Sequence, residues 1–145
     1  LHNRGGFGRM RLKNEVEYVF RILLYLSRYG RERIISSTEI SEKEQIPHLF
    51  SLRILKKMEK AGLVSIQKGA KGGYSLKKKP KDITLKTAIE CIEGDIIVKD
   101  CVKDPKSCSL RGGRCSVHRA MAIIEKEFIE HLAKYNFQDL SDENY

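Results

Sequence analysis

The 145-residue sequence predicts a mainly α-helical fold with one small β-hairpin: three helices, the hairpin, and two further helices of which the last is long. Three observations predict it. Apolar residues recur at spacings of three and four in the helical segments, one short segment alternates with a period of two, and Gly and Pro separate these segments. The apolar share of 41% suffices for one ordinary core.

The first two helices are predicted at residues 14–28 and 36–45. Apolar residues lie almost all round the first segment, which indicates a buried core helix. Ser36 and Glu39 form a capping-box signature at the start of the second.

The third helix is predicted at residues 48–61, between Pro47 and Gly62. Its core-facing side chains are expected to be Phe50, Ile54, Leu55 and Met58, while its surface is expected to carry Ser51, Arg53, Lys56, Lys57 and Lys60.

A β-hairpin is predicted at residues 63–76. Residues 63–67 alternate as a strand, residues 68–73 turn, and residues 74–76 return. Gly69, Gly72 and Gly73 are expected to supply positive φ in the turn. Three helices followed by a basic hairpin form the winged helix-turn-helix pattern, which makes residues 10–80 a candidate DNA-binding domain.

Residues 81–145 are predicted to hold a fourth helix (84–93), a cysteine-containing loop (99–116) and a long C-terminal dimerisation helix (117–135). Cys91, inside the fourth helix, is interpreted as a small buried hydrophobe. An apolar stripe on the long helix has little of its own chain to cover it, so pairing with a second copy is favoured over docking on the same chain. The stripe consists of Val117, Met121, Ile124, Phe128 and Leu132, followed by Tyr135.

The charge distribution favours a polyanionic partner. The chain carries a formal net charge of +9, and residues 53–81 contain ten Lys or Arg and a single acid, Glu59. A double-stranded DNA operator would accept the third helix in its major groove, with the hairpin beside it. The candidate DNA-binding residues are Ser51, Leu52, Arg53, Lys56, Lys57, Lys68 and Lys71. For each Lys, a merely solvated surface position is the alternative.

The spacing Cys101-x6-Cys108-x6-Cys115, with His118 close behind, is typical of a metal-binding loop. Structural zinc sites have shorter cysteine gaps, so an iron–sulfur cluster is favoured, with His118 the nearest candidate for the fourth ligand. Zinc and a metal-free thiol switch remain alternatives, the latter because neighbouring cations favour thiolates.

The residues of the third helix and hairpin also carry a family resemblance. Ile54-Leu55-Lys56-Lys57-Met58-Glu59-Lys60-Ala61-Gly62-Leu63-Val64 and Lys68-Gly69-Ala70-Lys71-Gly72-Gly73-Tyr74-Ser75-Leu76 resemble the Rrf-two family of bacterial winged-helix regulators, and the three cysteines resemble its iron–sulfur-binding, IscR- and NsrR-like branch.

The resemblance implies a homodimer with crossed C-terminal helices and each cysteine loop near the partner's winged domain. An IscR-like ligand set implies a 2Fe-2S cluster on three Cys and His118, with 4Fe-4S as the alternative. An NsrR-like set would instead use Glu17 of the partner subunit. The sequence departs from the family pattern at two points. Its cysteine gaps have six residues where five are usual, and Lys68 stands in place of the Arg common in the wing.

The predicted function is therefore a cytoplasmic, dimeric transcriptional regulator, with repression favoured, whose cluster senses iron–sulfur status, redox state or nitric oxide. The alternatives are a cluster-free thiol redox-switch regulator and an iron–sulfur carrier or electron-transfer protein that docks an acidic partner. An enzyme is not expected, because the basic region has no carboxylate pair for catalytic metals and no nucleophile with a base. Residues 1–9 are expected to be an expression remnant or a disordered arm, with Met10 the natural start.

Overall fold

The computed structural model describes residues 10–111 and 114–143, so the expectation for residues 1–9 lies outside the described part of the chain. The helices are α1 (Asn14–Tyr29), α2 (Ser37–Glu44), α3 (His48–Lys60), α4 (Leu85–Glu93), α5 (Asp100–Lys103), α6 (Ser116–Leu132) and α7 (Phe137–Asp142). Strands β1 (Val64–Gln67) and β2 (Gly73–Leu76) form one antiparallel hairpin between α3 and α4. The predicted fold class is confirmed.

Helix α1 lies at the centre of the core and contacts α2, α3, α4 and α7. Its buried apolar residues cover more than one face, as the sequence predicted. The largest fully buried side chains are Phe137, Ile22, Leu23, Leu26, Ile35, Ile40, Ile46, Ile54, Leu55, Met58, Leu63 and Ile83. This core therefore joins the helix-turn-helix to α7 at the end of the chain.

Helix α2 begins with half of the predicted capping box. The side chain of Ser36 accepts a hydrogen bond from the Glu39 backbone N–H at 3.1 Å. The Glu39 carboxylate does not return to Ser36 but accepts from Tyr25 and Arg33. The reciprocal bond of a capping box is replaced by a tertiary contact to α1.

Two neighbouring residues of α3 exchange their predicted places. Phe50 is 44% exposed, whereas Ser51 is fully buried, so the placement of Phe50 in the core and of Ser51 on the surface was wrong. The helical period sets Ser51 on the same face as Ile54, Leu55 and Met58 and turns Phe50 away from it. The Ser51 hydroxyl donates to the His48 carbonyl at 2.7 Å, which makes its burial inexpensive.

The hairpin pairs Val64 with Leu76 and Gln67 with Gly73. An isolated bridge between Ile35 and Tyr74 ties it to the segment before α2. Gly69 has a positive φ of 111°, as predicted.

The prediction of positive φ at Gly72 and Gly73 was wrong, since neither is among the described glycines with positive φ. Glycine is needed at both positions because another part of the backbone approaches each of them closely. A Cβ on Gly72 would lie 2.0 Å from the Gln67 carbonyl oxygen, and one on Gly73 would lie 2.4 Å from that of Ile35.

The end of the chain differs from the prediction. Helix α6 ends at Leu132 instead of near Tyr135, and a separate helix, α7, follows it. The Asn136 side chain caps α7 by accepting from the Asp139 N–H at 2.9 Å, and Phe137 is 1% exposed. No helix in the described part of the chain is long and apolar enough to cross a membrane.

Candidate DNA-binding surface and cysteine loop

The outer face of α3 and the hairpin turn carry most of the predicted DNA-binding residues. Leu52, Arg53 and Lys56 are exposed on α3, and Lys68 and Lys71 are exposed on the turn between β1 and β2. Helical spacing places Leu52, Arg53 and Lys56 on one side of α3, opposite its buried residues. These five side chains are available to a polyanion.

The other two predicted DNA-binding residues are placed differently. Ser51 faces the core. Lys57 is exposed, but its Nζ lies 2.7 Å from the Glu15 carboxylate of α1. That hydrogen bond lowers the pKa of Glu15, although partial burial opposes it. Lys57 is therefore already neutralised in part by its own chain.

Sequence reasoning missed Leu49 and Phe50 as surface residues of the recognition helix. Leu49 is 81% exposed at the start of α3, and the Arg53 guanidinium carbon lies 4.7 Å from the centroid of the Phe50 ring. This distance fits a cation–π contact, which holds the guanidinium beside the ring. The helical period counted from Ile54, Leu55 and Met58 would have placed both residues outside.

The cysteine loop is built from three separate local structures. Cys101 lies in α5, Cys108 follows a short 3-10 turn at Pro105–Ser107, and Cys115 is the N-cap residue of α6. The backbone N–H groups of His118 and Val117 lower the pKa of the Cys115 thiol, while partial desolvation raises it. The start of α6 therefore favours a thiolate at Cys115.

The fourth-ligand candidates differ in their surroundings. The Nδ1 atom of His118 is buried and has no hydrogen-bond partner in the described structure. Glu17, the alternative donor, is exposed and forms an ion pair with Arg21 one turn along α1. A buried ring nitrogen without a hydrogen-bond partner among the described residues fits an iron–sulfur ligand set better than a carboxylate that already has a partner.

The candidate ligands are not gathered at one point. Within residues 10–111 and 114–143, no group of three or more His, Cys, Asp or Glu side chains is placed to hold a metal ion. Cys91 lies apart in α4, half-buried against the core, and burial raises the pKa of its thiol. The donor types fit a cluster, and holding one would require the loop to draw its cysteines together.

The segment that leads into the loop is attached to α6, and the loop is also tied back to that segment. The backbone N–H of Val98 donates to the Glu125 carboxylate of α6 at 3.0 Å, and Lys103 pairs with Asp95 at 3.4 Å. A rearrangement of the loop would therefore act directly on α6.

The apolar stripe of α6 is left uncovered by the described chain. None of the described residues of α6 is fully buried. Val117, Ile124 and Phe128 are exposed, and Met121 and Leu132 are half-buried. Ile124 and Phe128 also line an open groove of about 700 Å³ that continues onto α4 and residues 95–98. An uncovered patch of this kind on a small domain is typical of an interface.

A helix-turn-helix with a β-hairpin wing and a cationic outer face defines the class of winged-helix DNA-binding regulators. Within that class, the model of the Rrf2 family, described as "Iron-dependent Transcriptional regulator", matches residues 12–143. The chain belongs to the Rrf2 family, which confirms the resemblance found in the sequence.

The similar proteins are transcriptional regulators and not enzymes. A protein of Aquifex aeolicus, named as a regulator of the HTH type, is 28% identical over 132 residues, which cover 90% of this chain and 91% of the relative. Two solved structures show the same fold. CymR of B. subtilis, called the global cysteine regulator, has a TM-score of 0.77 at 20% identity and covers 94% of this chain and 100% of its own. IscR of T. potens has a TM-score of 0.71 at 23% identity and covers 92% of this chain and 88% of its own.

Proposed function

We propose that this protein is a homodimeric transcriptional regulator of the cytoplasm that represses transcription by binding a double-stranded DNA operator. Residues 10–80 form its DNA-binding domain, and residues 81–145 hold the sensor loop and the dimerisation helix. The observation that carries this proposal is the cationic outer face of α3, with Arg53 and Lys56, beside the two Lys of the wing. Membership in a family of transcriptional regulators supports it over the carrier alternative.

Dimerisation through α6 supplies the symmetry that a palindromic operator requires. The uncovered stripe with Ile124 at its centre supports pairing with a second copy. Two recognition helices related by a two-fold axis must match half-sites about 34 Å apart. Any change in how α6 is held relative to α3 therefore alters DNA affinity.

The proposed sensor is an iron–sulfur cluster held by Cys101, Cys108 and Cys115, with His118 as the fourth ligand and 2Fe-2S as the favoured type. The orphaned His118 Nδ1 and the thiolate-favouring position of Cys115 support this set. When bound, the cluster supplies iron–thiolate bonds that link three separated parts of the loop. The contact between Val98 and Glu125 then passes a change in the loop to α6.

A metal-free thiol switch is the second candidate. The lowered pKa of the Cys115 thiol supports it, as does the similarity to CymR, a cysteine regulator. In this case, oxidation of Cys115 would change the same loop without any cluster.

The decisive experiment is anaerobic purification followed by visible absorption and by iron and sulfide analysis. Iron with matching sulfide supports the cluster, and a spectrum altered in His118→Ala but not in Glu17→Ala identifies His118 as a ligand. Cys91→Ala is the matched control and should leave the spectrum unchanged. Colourless, iron-free protein would favour the thiol switch. Equal operator affinity with and without the cluster would refute the coupling between sensor and DNA.

A further inference from the structure

The exposed face of α3 changes from apolar to cationic along its length. Leu49 and Leu52, which are 81% and 37% exposed, lie in its first half. Arg53, Lys56 and Lys60 continue the same face at helical spacing toward the C-terminal end. The end of a recognition helix that enters the major groove first is its N-terminal end, so the two leucines precede the cations into the groove.

Base edges in the major groove offer a single apolar group, the C5 methyl of thymine. Leucine side chains have no hydrogen-bonding atoms, so the only favourable base contact open to Leu49 and Leu52 is with such methyls. Because cations surround the two leucines, a polyanion is favoured over a protein surface as the partner that covers these leucines. Contact with thymine methyls would remove exposed apolar surface from water while Lys56 reaches the backbone.

Arg53 lies between the apolar and cationic parts and is held over the Phe50 ring at 4.7 Å. A guanidinium fixed in this way is prepared for bidentate contact with guanine. The outer face therefore combines one donor that suits guanine with two preceding side chains that suit thymine.

We propose that Leu49 and Leu52 determine sequence specificity by contacting thymine C5 methyl groups in each operator half-site. The inference rests on the proposed DNA-binding function and deepens it by naming the base feature that α3 recognises. Deoxyuridine provides a direct test, because it pairs as thymine does and lacks only the methyl group.

The experiment starts from a duplex selected out of a random DNA pool by the full-length protein. Each thymine of the selected half-site is then replaced by deoxyuridine, and the Kd is measured for the wild-type protein and for Leu49→Ala and Leu52→Ala. Replacing a contacted thymine should weaken wild-type binding about fourfold, from the transfer free energy of one methylene-sized group. The variant that lacks the contacting leucine should bind both duplexes equally.

Lys56→Ala is the control variant. It should weaken binding to both duplexes and keep their ratio, because a phosphate contact does not distinguish the bases. Two results would overturn the inference while leaving DNA binding intact. One is that deoxyuridine at no thymine of the selected site weakens binding. The other is that both leucine variants keep the wild-type ratio of the Kd values for the two duplexes. Failure to enrich any sequence would instead refute the proposed function itself. Leu49→Gln repeats the test with a polar side chain at an exposed position.

Discussion

The hydroxyl of Tyr25 donates a 2.6 Å hydrogen bond to Oε1 of Glu39 and thereby joins α1 to the start of α2. The Arg33 guanidinium binds the same carboxylate, with Nη1 at 2.9 Å from Oε2. Arg33 and Tyr25 together lower the pKa of Glu39 to about 2, although partial burial opposes them. Burial and the bond to Glu39 raise the pKa of Tyr25. This network holds the helix that supports α3.

Acid should weaken this network. The pKa of Glu39 is lower in the folded than in the unfolded protein, so its stabilising effect is complete above the ordinary carboxylate pKa. It is lost as pH falls from there toward about 2. At pH 7, Glu39→Gln should reduce the free energy of unfolding by about 1–2 kcal/mol. Urea denaturation at a series of pH values should show the difference from wild type shrinking across this acid range.

Glu42→Gln is the control for that series, because Glu42 lies exposed on the same helix. It should change stability by less than about 0.5 kcal/mol. If the difference in unfolding free energy between wild type and Glu39→Gln stayed constant from neutral pH to pH 2, the stabilising role assigned to the Glu39 carboxylate would be contradicted.

The wing should not tolerate a methyl group at Gly73. A Cβ there would lie 2.4 Å from the Ile35 carbonyl oxygen, so the bridge to Tyr74 would have to open. Gly73→Ala should cost about 2 kcal/mol in the free energy of unfolding and weaken DNA binding. Thermal denaturation and an operator titration measure the two effects. Ala70→Ser, on the exposed part of the same turn, should change neither, and equal melting temperatures for the two variants would refute the steric argument.

Adjacent lysines of α3 should differ in their contribution to DNA binding. Lys56 is exposed on the outer face, whereas Lys57 pairs with Glu15. Lys56→Ala should reduce the slope of log Kd against log salt concentration by about 1, as expected for one lost phosphate contact. Lys57→Ala should leave the slope nearly unchanged. Fluorescence anisotropy at several salt concentrations measures both, and a larger change for Lys57→Ala would reverse the proposed orientation of α3.

The apolar stripe of α6 should hold the dimer together. Phe128→Glu places a charge among exposed apolar residues that include Ile124, and should raise the dimer Kd about tenfold or more. Lys126→Glu introduces the same side chain on the opposite face of α6 and should leave the dimer intact. Sedimentation velocity distinguishes these outcomes. A Phe128→Glu protein that remained fully dimeric at low micromolar concentration would place the interface elsewhere.

Local signals in the sequence were sufficient for the order and approximate ends of most helices. The Ser36 cap and the stop at Gly62 act within one turn of the chain, so they operate whatever packs around them. Helix α7 was missed because its six residues are too few to establish an apolar period. Phe137 belongs to the core because it packs against residues that are far away in the chain.

The sequence by itself determined the fold class, the family, the cationic region and the set of possible metal ligands, because composition and short-range spacing express all of these. Only the tertiary structure decided which side chains face outward. Phe50 is exposed and Ser51 buried because the rest of the core selects one face of α3. Lys57 meets Glu15 because α1 lies beside α3. Such contacts join residues distant in sequence, and the direction of a side chain depends on what the folded chain places opposite it.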